Sequence, residues 1–235
     1  SHPCLRARGH RQLGHDTGAN RKERPMRVWD LCSGTGSVSR VWADAGHETL
    51  TLDADRKCQA DICADILTWE YTDFSLAPPD VIWCSPPCTQ YSRARTRAKT
   101  PRDLEGADKI VQRCLDIIDF WRPRFWVLEN PQTGLLKTRA VIQGLSWKDV
   151  DYCSYQDPVL YRKRTRLWMN CTNWVPRPPC AHVGHPHSAQ KGPQRVRGRP
   201  GQFLENDVMT LQTLHQVPRA LTTEIMHFCE NEMRN

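Results

Sequence analysis

Short apolar runs with polar ends alternate along the chain with segments of helical periodicity. Apolar residues at helical spacing predict helices behind the first strand and before Pro123. Since strands alternate with helices, we expect an α/β fold with a doubly wound, mostly parallel sheet. The pattern predicts strands at 26–32, 47–53, 80–84, 125–130, 148–153 and 166–170. Ligands of such sheets bind outside the carboxyl ends of the strands, so the polar strand ends indicate one common rim.

Breaks in this pattern divide the chain into four parts. Residues 1–25 are basic and aperiodic and predict a flexible arm, whereas 26–170 contain the alternating core. Residues 171–206 hold six prolines and predict a small loop-rich insert. A helical pattern returns over 207–235, and we expect this segment to complete the core.

The charge pattern changes this picture from a plain α/β domain to a candidate polyanion-binding protein. The formal net charge is +7, but the charges are not scattered. Four loop-like segments hold 21 of the 33 Lys and Arg residues and only two of the 26 acidic ones. Such clusters on an acidic body favour nucleic acid as the partner. The segments are 1–27, 91–102, 161–166 and 177–200.

Other classes of protein are disfavoured by the composition. No apolar run approaches the ~18 residues of a membrane span, and no signal-peptide pattern opens the chain. The eleven cysteines are irregularly spaced, as is typical of reduced thiols. We therefore expect an intracellular protein without a membrane partner, in the nucleus if eukaryotic and in the cytoplasm if bacterial or phage.

Two strand ends carry a candidate nucleoside site. Gly34-Thr35-Gly36 lies between a strand and a helix, where glycines let a ligand approach the backbone. Asp53 ends the next strand, where a carboxylate can accept hydrogen bonds from ribose hydroxyls. A tight turn beside a surface aspartate is the plain alternative.

Three further features carry candidate chemistry. Cys88 follows two prolines at a strand end and lies near several arginines, which predicts a lowered thiol pKa and a nucleophilic thiol. Glu129 ends an apolar strand, where partial burial favours general-acid chemistry. Arg164 and Arg166 alternate on entering a strand and could clamp a carbonyl oxygen or a phosphate from one side.

In this order and spacing, the motifs resemble those of the cytosine-C5 methyltransferase family, in particular its small members. They are Asp30-Leu31-Cys32-Ser33-Gly34-Thr35-Gly36, Pro87-Cys88-x-x-Tyr91-Ser92, Glu129-Asn130 and Arg164-x-Arg166. The resemblance implies an S-adenosylmethionine-dependent methyltransferase fold and S-adenosylhomocysteine as the second product. It assigns cofactor binding to Asp30, Leu31, Cys32, Ser33, Gly34, Thr35, Gly36, Ser37, Asp53, Ala54, Asp65, Ile66, Ser85 and Pro87.

The resemblance also implies a mechanism and a substrate. Cys88 would add to C6 of a flipped cytosine in DNA, Glu129 would contact N3, and the arginine pair would hold O2 or a phosphate. The residues expected to contact nucleic acid are Tyr91, Ser92, Arg93, Arg95, Arg97, Arg195, Arg197 and Arg199.

Departures from the family pattern bear mainly on target selection. Cys32 stands where the family usually has an aromatic residue, and Arg162 stands where it has glutamine. The recognition insert is so short that we expect short or relaxed sequence preference. Target selection through a further domain or a partner protein remains an alternative.

Two questions stay open at this stage. The insert contains Cys171, Cys180, His182, His185 and His187, a set that could bind zinc, although coincidence is the favoured interpretation. The substrate could instead be structured, tRNA-like RNA. The protein could also be a catalytically silent, cofactor-binding partner of another methyltransferase, but that role usually involves a lost Cys or Glu, and both are present.

Overall fold

The computed structural model describes residues 24–73, 75–96, 98–156, 163–180 and 215–234. Seven strands within these ranges form one sheet. They are β1 (Arg27–Leu31), β2 (Glu48–Asp53), β3 (Ile62–Cys63), β4 (Val81–Cys84), β5 (Phe125–Pro131), β6 (Trp147–Asp151) and β7 (Arg164–Met169). Six of them match strands predicted from the sequence, and the two-residue β3 was not predicted because it is too short to show a pattern.

The sheet is mixed but mostly parallel, which confirms the predicted fold class. Its strand order is β3-β2-β1-β4-β5-β7-β6. Only β7 runs against its neighbours, between β5 and β6. β1 pairs in parallel with β2 on one side and with β4 on the other, so the order in which strands are added to the sheet reverses at β1. At such a point a crevice opens outside the carboxyl ends of the strands.

Three α-helices cover the sheet in the described ranges. They are α1 (Ser39–Asp44), α2 (Leu104–Trp121) and α3 (Arg219–Arg234). Helix α2 begins where the Asp103 carboxylate accepts a hydrogen bond from the Gly106 N–H. It ends at Arg122, which has a left-handed backbone conformation before Pro123.

The helices pack on both faces of the sheet and create two apolar cores. One core joins α1 and α3 to the face of the sheet that carries Val28, Trp83 and Leu167. The other joins α2 to the face that carries Ile82, Leu128 and Trp168. The central strands are therefore buried on both sides, as their nearly continuous apolar sequences predicted.

Some sequence predictions fall outside the described residues. These include the arm up to residue 23 and the insert from 181 to 206, and the predicted part boundaries stay predictions. Among the described residues, no helix combines the length and apolar character that a membrane span requires.

The buried face of α2 gives a stability prediction. Ile117 is fully buried against the sheet, so replacing it with alanine removes apolar contacts and leaves a cavity. We expect Ile117→Ala to lower the free energy of unfolding by about 2–5 kcal/mol in urea denaturation. Lys109→Ala, on the exposed face of the same helix, should change it by less than about 0.5 kcal/mol. Equal effects of the two variants would contradict this packing.

Candidate active site

Two loops and one strand end, at the carboxyl ends of neighbouring strands, form the candidate site. The loop 32–38 follows β1, the loop 85–92 follows β4, and polar residues end β5. Backbone hydrogen bonds fix the start of each loop, because the Ser33 N–H donates to the Leu52 carbonyl and the Ser85 N–H donates to the Leu31 carbonyl. The sheet therefore presents both loops and the end of β5 on one rim.

The loop after β1 turns sharply by using left-handed backbone conformations. Gly34 and Gly36 have φ values of +52° and +65°. A Cβ added at Gly34 would meet no atom within 4 Å, so this glycine leaves open space above the backbone. Cys32 has a φ of +56°, which is uncommon for a residue with a side chain. The loop is shaped to let a ligand approach its backbone closely.

Asp53 connects the end of β2 to this glycine loop. One carboxylate oxygen accepts the Gly34 N–H at 2.8 Å, and the other accepts the Asp55 N–H at 2.8 Å. Each oxygen can accept a further hydrogen bond. Asp53 therefore holds the loop and still has acceptor capacity at the rim.

Asp30 is a buried carboxyl group under the same loop. Its Oδ2 accepts the Ser39 N–H at 3.1 Å, while Oδ1 has no hydrogen-bond partner in the described part of the chain. Burial raises the pKa of Asp30 to about 7, and the bond from Ser39 only partly offsets this effect. A buried acceptor without a donor suits a ligand that brings its own donor.

The remaining predicted cofactor residues lie around this crevice in different environments. Leu31 and Ile66 are buried in the core, and Ser33, Thr35 and Cys32 are half-buried in the loop. The Ser37 hydroxyl accepts the Val217 N–H, and the Ser85 hydroxyl accepts the Trp83 indole N–H. Ala54, Asp65 and Pro87 are exposed.

A buried hydrogen bond joins the proline–cysteine loop to the end of β5. The Asn130 amide donates to the Pro86 carbonyl at 2.9 Å, and the Asn130 side chain is fully buried. This contact brings the loop that carries Cys88 beside Glu129. The structure thus brings together the two residues that the sequence singled out for chemistry.

Cys88 is half-buried and its thiol is affected by two nearby charges. Burial raises the pKa of Cys88, and the negative charge of Glu129 raises it further, whereas the positive charge of Lys163 lowers it. The sequence-based expectation was a lowered pKa caused by arginines. The structure gives the opposite direction, because the thiol is buried and faces a carboxylate.

Glu129 has two partners that the sequence analysis did not single out. Its Oε1 accepts the Tyr152 hydroxyl at 2.8 Å and lies 3.5 Å from the Lys163 ammonium nitrogen. Glu129 is only 6% exposed, so these contacts occur largely away from water. Strand alternation could have indicated the contact with Lys163. This lysine, the residue before β7, is two residues from Thr165 and four from Leu167, which lie on one face of the strand.

Arg164 and Arg166 are not brought beside Glu129, and this corrects the predicted clamp. In the pairing of β5 with β7, Glu129 faces Leu167 and Asn130 faces Arg166. Because neighbouring residues of a strand point to opposite faces, both arginines lie on the other side of the sheet. Arg166 binds both Asp149 oxygens at 2.7 and 2.9 Å, and Arg164 binds Asp151 at 3.1 Å.

Arg166 also points away from the rim. Its guanidinium carbon lies 3.5 Å from the centroid of the Trp147 ring, at the opposite end of β6 from the rim. A cation–π contact and a bidentate carboxylate therefore occupy this side chain.

Tyr91 is buried, which corrects its prediction as a nucleic-acid contact. Its side chain is fully buried, and its hydroxyl donates to Asp108 on α2 at 2.8 Å. The second Asp108 oxygen accepts the Arg139 guanidinium at 2.8 Å. A tyrosine three residues after Cys88 turns inward with the backbone, because the Tyr91 N–H bonds to the Cys88 carbonyl. Tyr91 anchors the turn that carries the thiol.

The basic segment after Cys88 is partly closed on itself. Arg95 donates to the Thr100 carbonyl and hydroxyl at 2.9 and 2.7 Å, and Arg102 binds the Gln90 and Ser92 carbonyls. Ser92 is half-buried, whereas Arg93 is exposed. Arg97, Arg195, Arg197 and Arg199 lie outside the described residues, and their predicted contacts stay predictions.

The zinc hypothesis is not tested by the described residues. Cys171 is buried and its thiol lies near that of Cys229, while Cys180 is half-buried. His182, His185 and His187 lie outside the described residues. Within those ranges, no group of three or more possible metal ligands occurs.

A curated relative matches the chain over most of its length. The chain is 32% identical over 225 residues to a Frog virus 3 (isolate Goorha) protein named "Probable DNA (cytosine-5)-methyltransferase". The match covers 87% of this chain and all of the viral protein. No family model matches the chain.

Among solved structures, similarity is weaker. The methyltransferase EhMeth of Entamoeba histolytica gives a TM-score of 0.47 at 13% identity, covering 63% of this chain and 53% of that one. The S. pombe Dnmt2 methyltransferase gives 0.44 at 16%, covering 61% and 50%. The chain therefore spans about half the length of these structures, and neither adds to the viral match.

The Tyr91 contact predicts a measurable loss of stability. Tyr91→Phe keeps the buried ring and removes the hydrogen bond to Asp108, so we expect a loss of about 0.5–1.5 kcal/mol in urea denaturation. The control is Tyr71→Phe, because the Tyr71 hydroxyl makes no hydrogen bond to the described residues. No stability difference between the two variants would argue against the anchoring role.

Proposed function

Since the chain belongs to the DNA (cytosine-5)-methyltransferase family, as its motifs predicted, we propose that it methylates cytosine at C5 in DNA with S-adenosylmethionine as the methyl donor. The observation that carries this proposal is that Cys88 and Glu129 lie beside each other. A half-buried thiol and a buried carboxyl group are held at adjoining strand ends by the Asn130–Pro86 hydrogen bond.

The crevice beside β1 fits the cofactor in its shape and polarity. The glycine loop offers its backbone at Gly34 and Gly36, the unsatisfied Asp30 Oδ1 suits a donor, and Asp53 can accept from ribose hydroxyls. Ile66 would provide an apolar surface for a base. When bound, S-adenosylmethionine supplies an electrophilic methyl group on a sulfonium.

Cys88 would start the reaction by covalent addition. Its thiolate forms a bond to C6 of cytosine and breaks the C5–C6 double bond, so an electron pair becomes available at C5. C5 would then form a bond to the methyl group while the bond from that methyl group to the sulfonium sulfur breaks and leaves its electron pair on the sulfur. The product would form when C5 loses its original proton to a base and the Cys88 sulfur leaves C6. The thiolate is then regenerated, and the second product is S-adenosylhomocysteine.

Glu129 would stabilise the charge that develops on the ring during addition. Its carboxyl group can donate a proton or a hydrogen bond to N3, where the negative charge accumulates. The Tyr152 hydroxyl donates to Glu129 Oε1 at 2.8 Å and fixes the orientation of the carboxyl group. A fixed carboxyl group needs no reorientation when the charge appears.

The burial of this site supports base flipping. Because Glu129 is buried and Cys88 is half-buried, a cytosine inside a duplex cannot reach both groups. The base must enter the pocket singly, from a single strand or after rotation out of the stack. Exposed cations such as Arg93 and Lys99, next to the cysteine loop, suit contacts with phosphates.

Methyl transfer and adduct trapping test the role of Cys88. We expect Cys88→Ala to abolish transfer of tritiated methyl groups to DNA, because the variant lacks the thiolate that would add to C6. DNA containing 5-fluorocytosine should trap a covalent adduct with the unaltered protein, since fluorine cannot leave as a proton. Cys63→Ala, which removes an exposed thiol, should retain both reactions.

Matched RNA and DNA substrates separate the proposed function from its alternative. Methylation of RNA but not of DNA would show that RNA is the substrate. Normal turnover by Cys88→Ala would instead overturn the covalent mechanism itself.

Cofactor binding gives a separate prediction. Asp53→Ala removes a ribose acceptor and a bond to the glycine loop, so we expect S-adenosylmethionine binding to weaken by about 1–3 kcal/mol in calorimetry. Asp61→Ala is the control, because this carboxylate binds Thr51 instead. An unchanged dissociation constant for Asp53→Ala would place the cofactor elsewhere.

A further inference from the structure

Lys163, the residue before β7, lies beside Glu129, where the resemblance had placed arginines. Glu129 pairs with Leu167, so Thr165 and Leu167 share the face that carries Glu129. Lys163 continues this alternation, and its Nζ lies near Glu129. Arg164 and Arg166 share the opposite face. Among the described residues, the positive charge nearest to Glu129 is therefore an ammonium group rather than a guanidinium.

Lys163 is held in this position by three contacts. Its Nζ lies 3.5 Å from Glu129 Oε1 and 4.7 Å from the centroid of the Tyr152 ring. The Lys163 carbonyl accepts the Tyr152 N–H at 3.0 Å, so the backbone positions the same pair. The side chains of Lys163 and Glu129 are only 17% and 8% exposed, so water screens their interaction weakly.

Both arginines of the predicted clamp are already engaged. Arg166 forms a bidentate pair with Asp149 and stacks on Trp147. Arg164 forms an ion pair with Asp151, a buried carboxylate. Moving either guanidinium to the Glu129 face would break these contacts.

We propose that Lys163 is a positioning residue of the cytosine pocket, which orients the Glu129 carboxyl group and provides the positive charge that favours the Cys88 thiolate. This inference rests on the proposed function for its meaning in catalysis. The charge effect of Lys163 on the Cys88 thiol can be measured in the protein without cofactor or nucleic acid.

The charges around Cys88 explain why such a residue is needed. Burial and Glu129 both raise the pKa of Cys88, and Lys163 opposes them. The fourth titratable group at the pocket is His215, whose pKa is lowered by partial burial and by the charge of Lys163, with Glu129 acting in the opposite direction. Tyr152 adds a hydroxyl that donates to Glu129. Without Lys163, the thiol would face a carboxylate with no cation on the same face of β7.

Alkylation of Cys88 as a function of pH tests this inference directly. Only the thiolate reacts with iodoacetamide, so the midpoint of the rate profile reports the thiol pKa. The reaction is measured on the full chain without cofactor or nucleic acid, and mass spectrometry resolves each cysteine. The exposed Cys63 serves as an internal reference for an accessible thiol.

The two charges predict shifts of opposite sign. Loss of the cation should raise the thiol pKa, so we expect Lys163→Met to move the Cys88 midpoint to higher pH by roughly half to one unit. Loss of the anion in Glu129→Gln should move it to lower pH. Lys163→Arg, which keeps the charge, should restore most of the original profile, and the Cys63 profile should not move.

A variant that disturbs the fold is recognised separately. Buried Cys114 would then become reactive, and Lys163→Gln, which keeps a polar end, provides a second neutral side chain. An unchanged Cys88 midpoint in folded Lys163→Met or Lys163→Gln would overturn the inference. So would a shift in Lys163→Arg as large as in Lys163→Met, because it would show that shape rather than charge matters.

The outcomes distinguish this inference from the proposed function. If 5-fluorocytosine traps the protein but the Lys163 variants leave the Cys88 midpoint unchanged, the function stands and the inference fails. If the midpoint shifts but no DNA or RNA is methylated, the charge effect stands and the proposed function fails.

Discussion

The central strands of the sheet are buried on both faces, and this constraint governs where polar groups can lie. A polar side chain in such a strand must find a partner, because water cannot reach it. Asn130 binds the Pro86 carbonyl, Glu129 binds Tyr152, and Asp30 binds the Ser39 N–H. Each contact joins a strand end to a neighbouring element. The interactions that satisfy one polar atom of each buried side chain therefore also bring the parts of the site together.

Sequence patterns predicted the elements well and the directions of several side chains poorly. Apolar runs and prolines located the strands, the glycine loop and the loop of Cys88, since these depend on local chemistry. The directions of Tyr91, Lys163 and Arg166 depend on contacts with distant segments. In particular, the face of β7 that meets Glu129 follows from its register with β5, more than 30 residues away. A one-residue change of register would exchange the lysine for the arginines.

The clustered positive charges have two different uses, which composition alone could not separate. Arg95 and Arg102 close the segment after Cys88 by binding its own carbonyls. Arg93 in the same segment is exposed. A cation that satisfies backbone carbonyls is less available to a phosphate, so the number of basic residues overstates the number of contacts with a polyanion. Some of the basic residues that predicted a nucleic-acid surface therefore stabilise the shape of the loop.

The position of β7 between β5 and β6 has a consequence for how the chain folds during synthesis. Strand β6 is made before β7, yet β7 is the only strand that pairs with it among the described residues. Residues 147–151 therefore have no place to pair until about residue 169 has left the ribosome. Tyr152 and Lys163, which flank Glu129, arrive with this late insertion. The carboxyl group acquires its surroundings only when the last strand is added, so an incomplete nascent chain presents the cysteine without a finished pocket.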